Sequence, residues 1–365
     1  IAAQLDQDTS DLELAAGYSV YKVKIINPNG TLGNSMTPTN IQINGVNRDG
    51  FTSVADINND GQLDVVVTSP GKYPKGVIYA YHIKNGAAQI LAKINPLSNF
   101  DYIGVAVIGD LDNSKIPLII VPRSEVLTAY KYDGTNNLVN VWDFANTDNS
   151  GATGSTIFDL NGDGKFEIIF RDETELKIID GTTNIPKILA KIICFSGTLL
   201  EYPIIINNDL LNQAKICIPC GDFQKDILGH LTVFGPPDSL PWAPARSVWN
   251  QYAYNPLQIN DDLTVPRYQK NQATYMNGKY NNFYQQESLL DSNGMYKVPA
   301  ASLTGAIQCI NYDPLTDEYL VIFDVYNRKD ASAIADTNLA ISFYNGDPTN
   351  GAALLGIYYS NKKIY

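Results

Sequence analysis

Histidine is nearly missing from this chain: 365 residues contain two, His82 and His230. His82 closes an expected strand (Tyr79-Ala-Tyr81-His82) and His230 precedes another, so each reads as a strand-edge residue rather than a catalytic base. No G-x-S-x-G elbow, H-E-x-x-H helix, P-loop or dinucleotide fingerprint occurs. Long apolar runs are missing too. The longest are of strand length, well short of the roughly twenty residues a membrane helix needs. No signal peptide is visible, as expected of a mature or internal segment. Charged residues make up only 18% of the chain, and basic ones are the scarcer: 26 Lys plus Arg against 38 Asp plus Glu, a net charge of −12. An acidic surface argues against a nucleic-acid partner. Low charge with 23 tyrosines suits an extracellular β protein.

Cysteine is sparse: Cys194, Cys217, Cys220 and Cys309. Cys217-Ile-Pro-Cys220 matches C-x-x-C, but it lies in an expected strand with no βαβ context and no second C-x-x-C to complete a zinc site. A disulfide from Cys194 to Cys217 or Cys220 and buried free thiols are both open. Cys309 reads as a lone core cysteine.

What is abundant is an acidic turn that runs directly into an apolar strand. Five copies begin at residues 6, 56, 110, 159 and 207. The fullest are the second, Asp56, Asn58, Asp60, Gly61, Gln62 and Asp64, and the fourth, Asp159, Asn161, Asp163, Gly164, Lys165 and Glu167. Oxygen side chains fall at loop positions 1, 3, 5 and 9. Gly at position 6 permits a sharp turn, and the backbone carbonyl of position 7 (Gln62 or Lys165) is a natural further donor. Four such side chains within nine residues repel one another unless a hard cation lies between them, and Ca2+ accepts six to eight oxygens. The competing reading is a metal-free Asx-rich turn. The loop resembles the start of an EF-hand but closes at position 9.

The other copies are degraded. Asp110, Asp112 and Ser114 are followed by Lys115 where Gly belongs, with Leu118 at position 9. Asn207–Lys215 ends on a cation, and Asp6–Glu13 is one residue short. Metal is therefore expected at the second and fourth loops, about two structural Ca2+ ions. None is expected at the third and fifth, and the first is left open.

A period near fifty residues, with about four strands per unit, fits a β-propeller blade better than a stacked solenoid. Strands rich in β-branched and aromatic residues between Asn, Asp, Gly and Pro give an all-β reading. The loop-plus-strand units resemble the FG-GAP/VCBS repeat family, also seen in integrin α-subunit propellers, across roughly residues 1–235. That resemblance implies calcium in the acidic loops and seven blades. About five are recognisable here, so the chain is expected to belong to a larger polypeptide, unless the propeller is small or residues 236–290 supply an irregular last blade.

Residues 236–295 carry Trp242, Arg246, Trp249, Tyr252, Tyr254, Asn281, Asn282, Phe283, Tyr284, Gln285 and Gln286. They resemble a block that follows FG-GAP repeats in large secreted proteins of Bacteroidota. Their chemistry allows a sugar-binding surface, or a structural plug with the tryptophans buried and Arg246 pinning a loop. The plug is favoured. Residues 296–365 alternate as sandwich strands at 319–327, 338–344 and 354–359. Residues 341–356 resemble the CARDB family, an Ig-like adhesion sandwich, in a version short of the usual hundred residues.

Together these point to a non-catalytic, calcium-binding extracellular module of a cell-surface adhesin. Its partners would be a surface protein or glycan, and the resemblance implies export by a type IX-like secretion machinery. The rivals are a carbohydrate-binding accessory domain and a polysaccharide lyase or hydrolase.

Overall fold

A computed structural model describes the chain except residues 8–11, 26–31, 44, 73–74, 95–101, 208–212, 223–224, 237–240, 267–268, 291–302, 328–334, 336 and 365. Among the described residues the fold is all-β, with 3-10 turns and no α-helix. Contacts divide it into residues Ile1–Gly294 and Met295–Tyr365. The boundary expected at residue 296 lies outside the described residues.

The larger unit is a succession of antiparallel meanders. The first comprises β1 (Ala2–Ala3), β2 (Glu13–Ala16), β3 (Ser19–Ile25) and β4 (Leu32–Asn40). The second holds β5 (Phe51–Ala55), β6 (Asp64–Lys72), β7 (Lys75–Lys84) and β8 (Ala87–Lys93). The third holds β9 (Val107–Gly109), β10 (Leu118–Arg123), β11 (Val126–Tyr132) and β12 (Leu138–Ala145). The fourth holds β13 (Ser155–Phe158), β14 (Glu167–Arg171), β15 (Glu175–Asp180) and β16 (Lys187–Ile193). The fifth has three strands, β17 (Ile204–Ile206), β18 (Lys215–Asp222) and β19 (Ile227–Phe234). First strands lie beside one another: β5 by β9, β9 by β13, β13 by β17.

The repeat extends to defects in the ladder. The pairing of third strand with fourth shifts register after Ala80, after Ala129 and after Ile178. A bulge is a designed local twist, and here it recurs at one place in three successive sheets.

Strand alternation explains how the sheets stack. In β6, Val65 and Val67 enter one apolar core while Val66 enters another. In β14, Ile168 and Phe170 join the core shared with Val66, and Ile169 joins a third. Both faces of the middle sheets are therefore covered, and Val65–Val67 and Ile168–Phe170 are unbroken apolar runs instead of alternating with polar residues. Each fully buried Val or Ile contributes about 2 kcal/mol.

The stretch 241–290 has little regular structure and lies along the first strands. Ile108 and Phe283 exchange backbone hydrogen bonds. Ile157 N–H donates to Tyr284 and accepts, through its carbonyl, from Gln286. Side-chain amides extend the contact: Gln272 donates to the Val54 carbonyl at 2.9 Å and Gln286 to that of Ile205 at 2.7 Å. One stretch thus touches the second to fifth sheets. Arg246 is buried and donates to the carbonyls of Pro256 and Ile259 and to Asp261. Trp249 stacks on Tyr254 with ring centroids 4.1 Å apart. Trp242 and Trp249 are half-buried.

Cys194 and Cys220 form a disulfide, Cys217 is a buried free thiol, and Cys309 is half-buried.

The smaller unit contains two hairpins, β20 (Leu303–Asp313) with β21 (Glu318–Asn327), and β22 (Ala340–Tyr344) with β23 (Leu354–Tyr359). Phe323 joins them, 4.9 Å from Phe343 and 5.7 Å from Tyr358 between ring centroids.

Candidate functional site

The second, third and fourth acidic loops share one backbone. Positions 4 and 6 are left-handed in each: Asn59 and Gly61 (φ 59° and 86°), Asn113 and Lys115 (59° and 64°), Gly162 and Gly164 (74° and 84°). Glycine and asparagine tolerate this region; a lysine there is strained. The common shape follows from position 1. Asp56 accepts from the amides of Asp60 (3.1 Å) and Gly61 (2.8 Å), and Asp110 from Ser114 (3.1 Å) and Lys115 (2.7 Å). Asp159 accepts from Gly162 (2.7 Å), Asp163 (3.2 Å) and Gly164 (3.0 Å). Positions 3 and 5 close smaller turns. Asn58 and Asn161 accept from the amides of Asp60 and Asp163, and these in turn accept from Gln62 and Lys165.

Position 9 returns to the loop. Asp64 accepts from the Ile57 amide at 2.9 Å and Glu167 from the Leu160 amide at 2.8 Å. Both carboxylates start strands, β6 and β14, whose next residues are core. The aliphatic strand thereby drags an acid into a dry environment. Burial pushes the Asp56 and Asp159 carboxyls above their ordinary range and Asp64 well above it; Glu167 is pushed up to about 7. Neighbouring loop carboxylates add smaller upward contributions. Asp64 Oδ1 is buried without a hydrogen-bond partner, 3.8 Å from His82 Nδ1.

The oxygens of Asp56, Asn58, Asp60 and Asp64, and of Asp159, Asn161, Asp163 and Glu167, are thus gathered within each loop. They are hard donors, and the charge on the buried ones is disfavoured as the loop stands. That chemistry fits a hard divalent cation. Among the described residues, however, no three His, Cys, Asp or Glu side chains are arranged to hold a metal by themselves. Asn oxygens and the carbonyls of Gln62 and Lys165 would have to complete any shell.

Two loops differ in kind. In the third, Leu118 offers no position 9 oxygen. In the first, Lys22 reaches Asp6 at 3.1 Å and Glu13 at 3.9 Å, so an ammonium sits where the acids converge. Residues 8–11 of that loop, and 208–212 of the fifth, lie outside the described residues.

The sequence reading missed position 4. Asn59 Nδ2 donates to the Lys115 carbonyl at 2.6 Å, and Asn113 Nδ2 donates to the Gly164 carbonyl. The second loop is thus tied by its position 4 amide to position 6 of the third, and the third to position 6 of the fourth. Asn at this position in the second and third copies was the available signal. Asn281, read only as part of the 236–295 block, in fact ties that stretch to the second loop: it accepts from the Asp56 amide at 2.8 Å and donates to the Asp56 carbonyl at 2.7 Å.

The family model of the FG-GAP repeat matches residues 50–81, which span β5, the second loop, β6 and most of β7. No curated protein matches the chain. Among solved structures, the crystal structure of the V. cholerae biofilm matrix protein Bap1 is similar at 16% identity and a TM-score of 0.54, covering 78% of this chain and 70% of that one. At that identity the likeness is one of fold. A protein from Lactobacillus plantarum aligns at 11% identity and a TM-score of 0.36, over 84% of this chain and 93% of that one.

Proposed function

We propose that the chain is a non-catalytic adhesion module acting outside the cell, built as a β-propeller of FG-GAP repeats. The observation that carries this reading is the FG-GAP match at residues 50–81, together with three consecutive loops of one backbone shape. The fold likeness to a biofilm matrix protein supports it. First strands side by side, with sheets stacked face to face, are the arrangement blades adopt. The two hairpins of the smaller unit, joined at Phe323, are read as part of an Ig-like sandwich.

In this reading Asp56, Asn58, Asp60, Asp64 and the Gln62 carbonyl hold one Ca2+. Asp159, Asn161, Asp163, Glu167 and the Lys165 carbonyl hold another. Bound calcium would supply positive charge that lets the buried acids stay ionised. The chain's own part is to fix them: the amides of residues 57, 60 and 61, and of 160, 163 and 164, orient the carboxylates from one side. The partner is a surface protein or glycan.

A surface coated with the intact chain should retain bacterial cells or their matrix polysaccharide, and should lose that capacity when EGTA is added. No retention under any calcium concentration contradicts the adhesion reading. Release of shortened glycans would instead favour the hydrolase or lyase.

A further inference from the structure

The fifth sheet differs from the other four at its outer edge. In sheets one to four the third strand is covered by a fourth, antiparallel to it. Among the described residues, β19 has no such neighbour. Its free edge is also undefended. Outer strands normally carry charge or proline, which blocks pairing with another chain. Here β4 has Pro38, β8 has Lys93, β12 has Asp143, and β16 has Lys187 and Lys191. By contrast β19, Ile227-Leu-Gly-His-Leu-Thr-Val-Phe234, contains no Asp, Glu, Lys, Arg or Pro.

The same strand exposes apolar side chains. Leu228 and Leu231 are each 76% exposed and Val233 46%. The Cys194–Cys220 bond, with Cα atoms 5.0 Å apart, brings the end of β16 beside this hairpin, and there Ile192 and Ile193 are exposed too. Exposed apolar side chains along an open, uncharged strand edge mark an interaction site.

We propose that β19 pairs with β19 of a second copy of this chain, making an isologous antiparallel dimer. The sequence of the strand favours a second copy as occupant because it is self-complementary. Antiparallel pairing centred on Leu231 puts Leu231 opposite Leu231 of the other copy and Leu228 opposite its Phe234. Apolar residues meet across the two-fold axis on both sides, and opposed residues in a sheet come within about 5 Å. The added strand has the antiparallel sense of β4, β8, β12 and β16, so each copy supplies the strand the other lacks.

The test is the mass of the intact chain by sedimentation over a wide concentration range. The expected result is a shift from 40.1 kDa to twice that value. Leu231→Lys should weaken dimerisation about tenfold or more, because it places a charge on the paired edge. Leu189→Lys on exposed β16 should leave it unchanged. A second measurement addresses register: the double variant L228C/F234C should oxidise to a covalent dimer, and neither single variant should. A mass of 40.1 kDa at every concentration, a dimer indifferent to Leu231→Lys, or equal loss with Leu189→Lys overturns the proposal. Failure of the double variant to cross-link overturns the stated register.

Discussion

Replacing Glu167 by Gln should change stability in opposite directions with and without calcium. Burial raises the Glu167 carboxyl from an ordinary 4.5 to about 7. Because the folded value lies above the unfolded one, folding favours the protonated acid. That contribution is complete below about pH 4.5 and is lost as pH rises through about 7. The difference of two to three units corresponds to about 3 kcal/mol lost by about pH 8 in a chelated sample. Gln keeps the shape and can still accept the Leu160 amide, which donates at 2.8 Å, but it has no charge to bury. In EGTA, E167Q should therefore be more stable than the parent by up to about 3 kcal/mol near pH 8, with a flatter pH profile. In excess calcium the order should reverse, since the variant lacks an anionic ligand. Urea unfolding at several pH values, with and without chelator, measures both arms. If E167Q is destabilised equally under both conditions, the burial argument and the metal assignment both fail.

Other perturbations follow from the same structure. Arg246→Ala should cost about 3 kcal/mol or more, because the carbonyls of Pro256 and Ile259 lose their donor inside the fold; urea midpoints against the parent measure it. Reducing the Cys194–Cys220 bond, which spans 26 residues, should lower stability by about 3 kcal/mol through chain entropy, read as a drop in melting temperature on adding reductant. Lys115→Gly should stabilise the chain by about 1 kcal/mol, since φ there is 64°; an unchanged or lower melting temperature would contradict the strained loop geometry.

Much of the architecture was legible because the acidic turn is a local signal. Asp at position 1 dictates the loop, which keeps its shape even with Lys115 at position 6, and the valines and isoleucines after position 9 dictate the strand. Outer strands were harder to read: β16 is exposed along its whole length, so burial imposes no pattern on it. The stretch 241–290 is held by side-chain amides reaching distant backbones, as Gln272 does to Val54. Sequence spacing carries no trace of such contacts. The position 4 asparagines act on the next loop, so their role appears only when the loops are side by side. The cysteine pairing stayed open between Cys217 and Cys220 because both lie on one strand, three residues apart and so on opposite faces, and spacing does not say which face Cys194 meets; the structure pairs it with Cys220.

The central claim is that two of the acidic loops hold calcium. Isothermal titration of Ca2+ into EGTA-stripped, dialysed protein tests it most directly. The account predicts about two ions bound per chain, falling to one in E167Q and to one in Asp56→Asn, each variant remaining folded by circular dichroism. No binding heat and no retained calcium by elemental analysis would contradict it, and would leave the loops as turns held by their own amides.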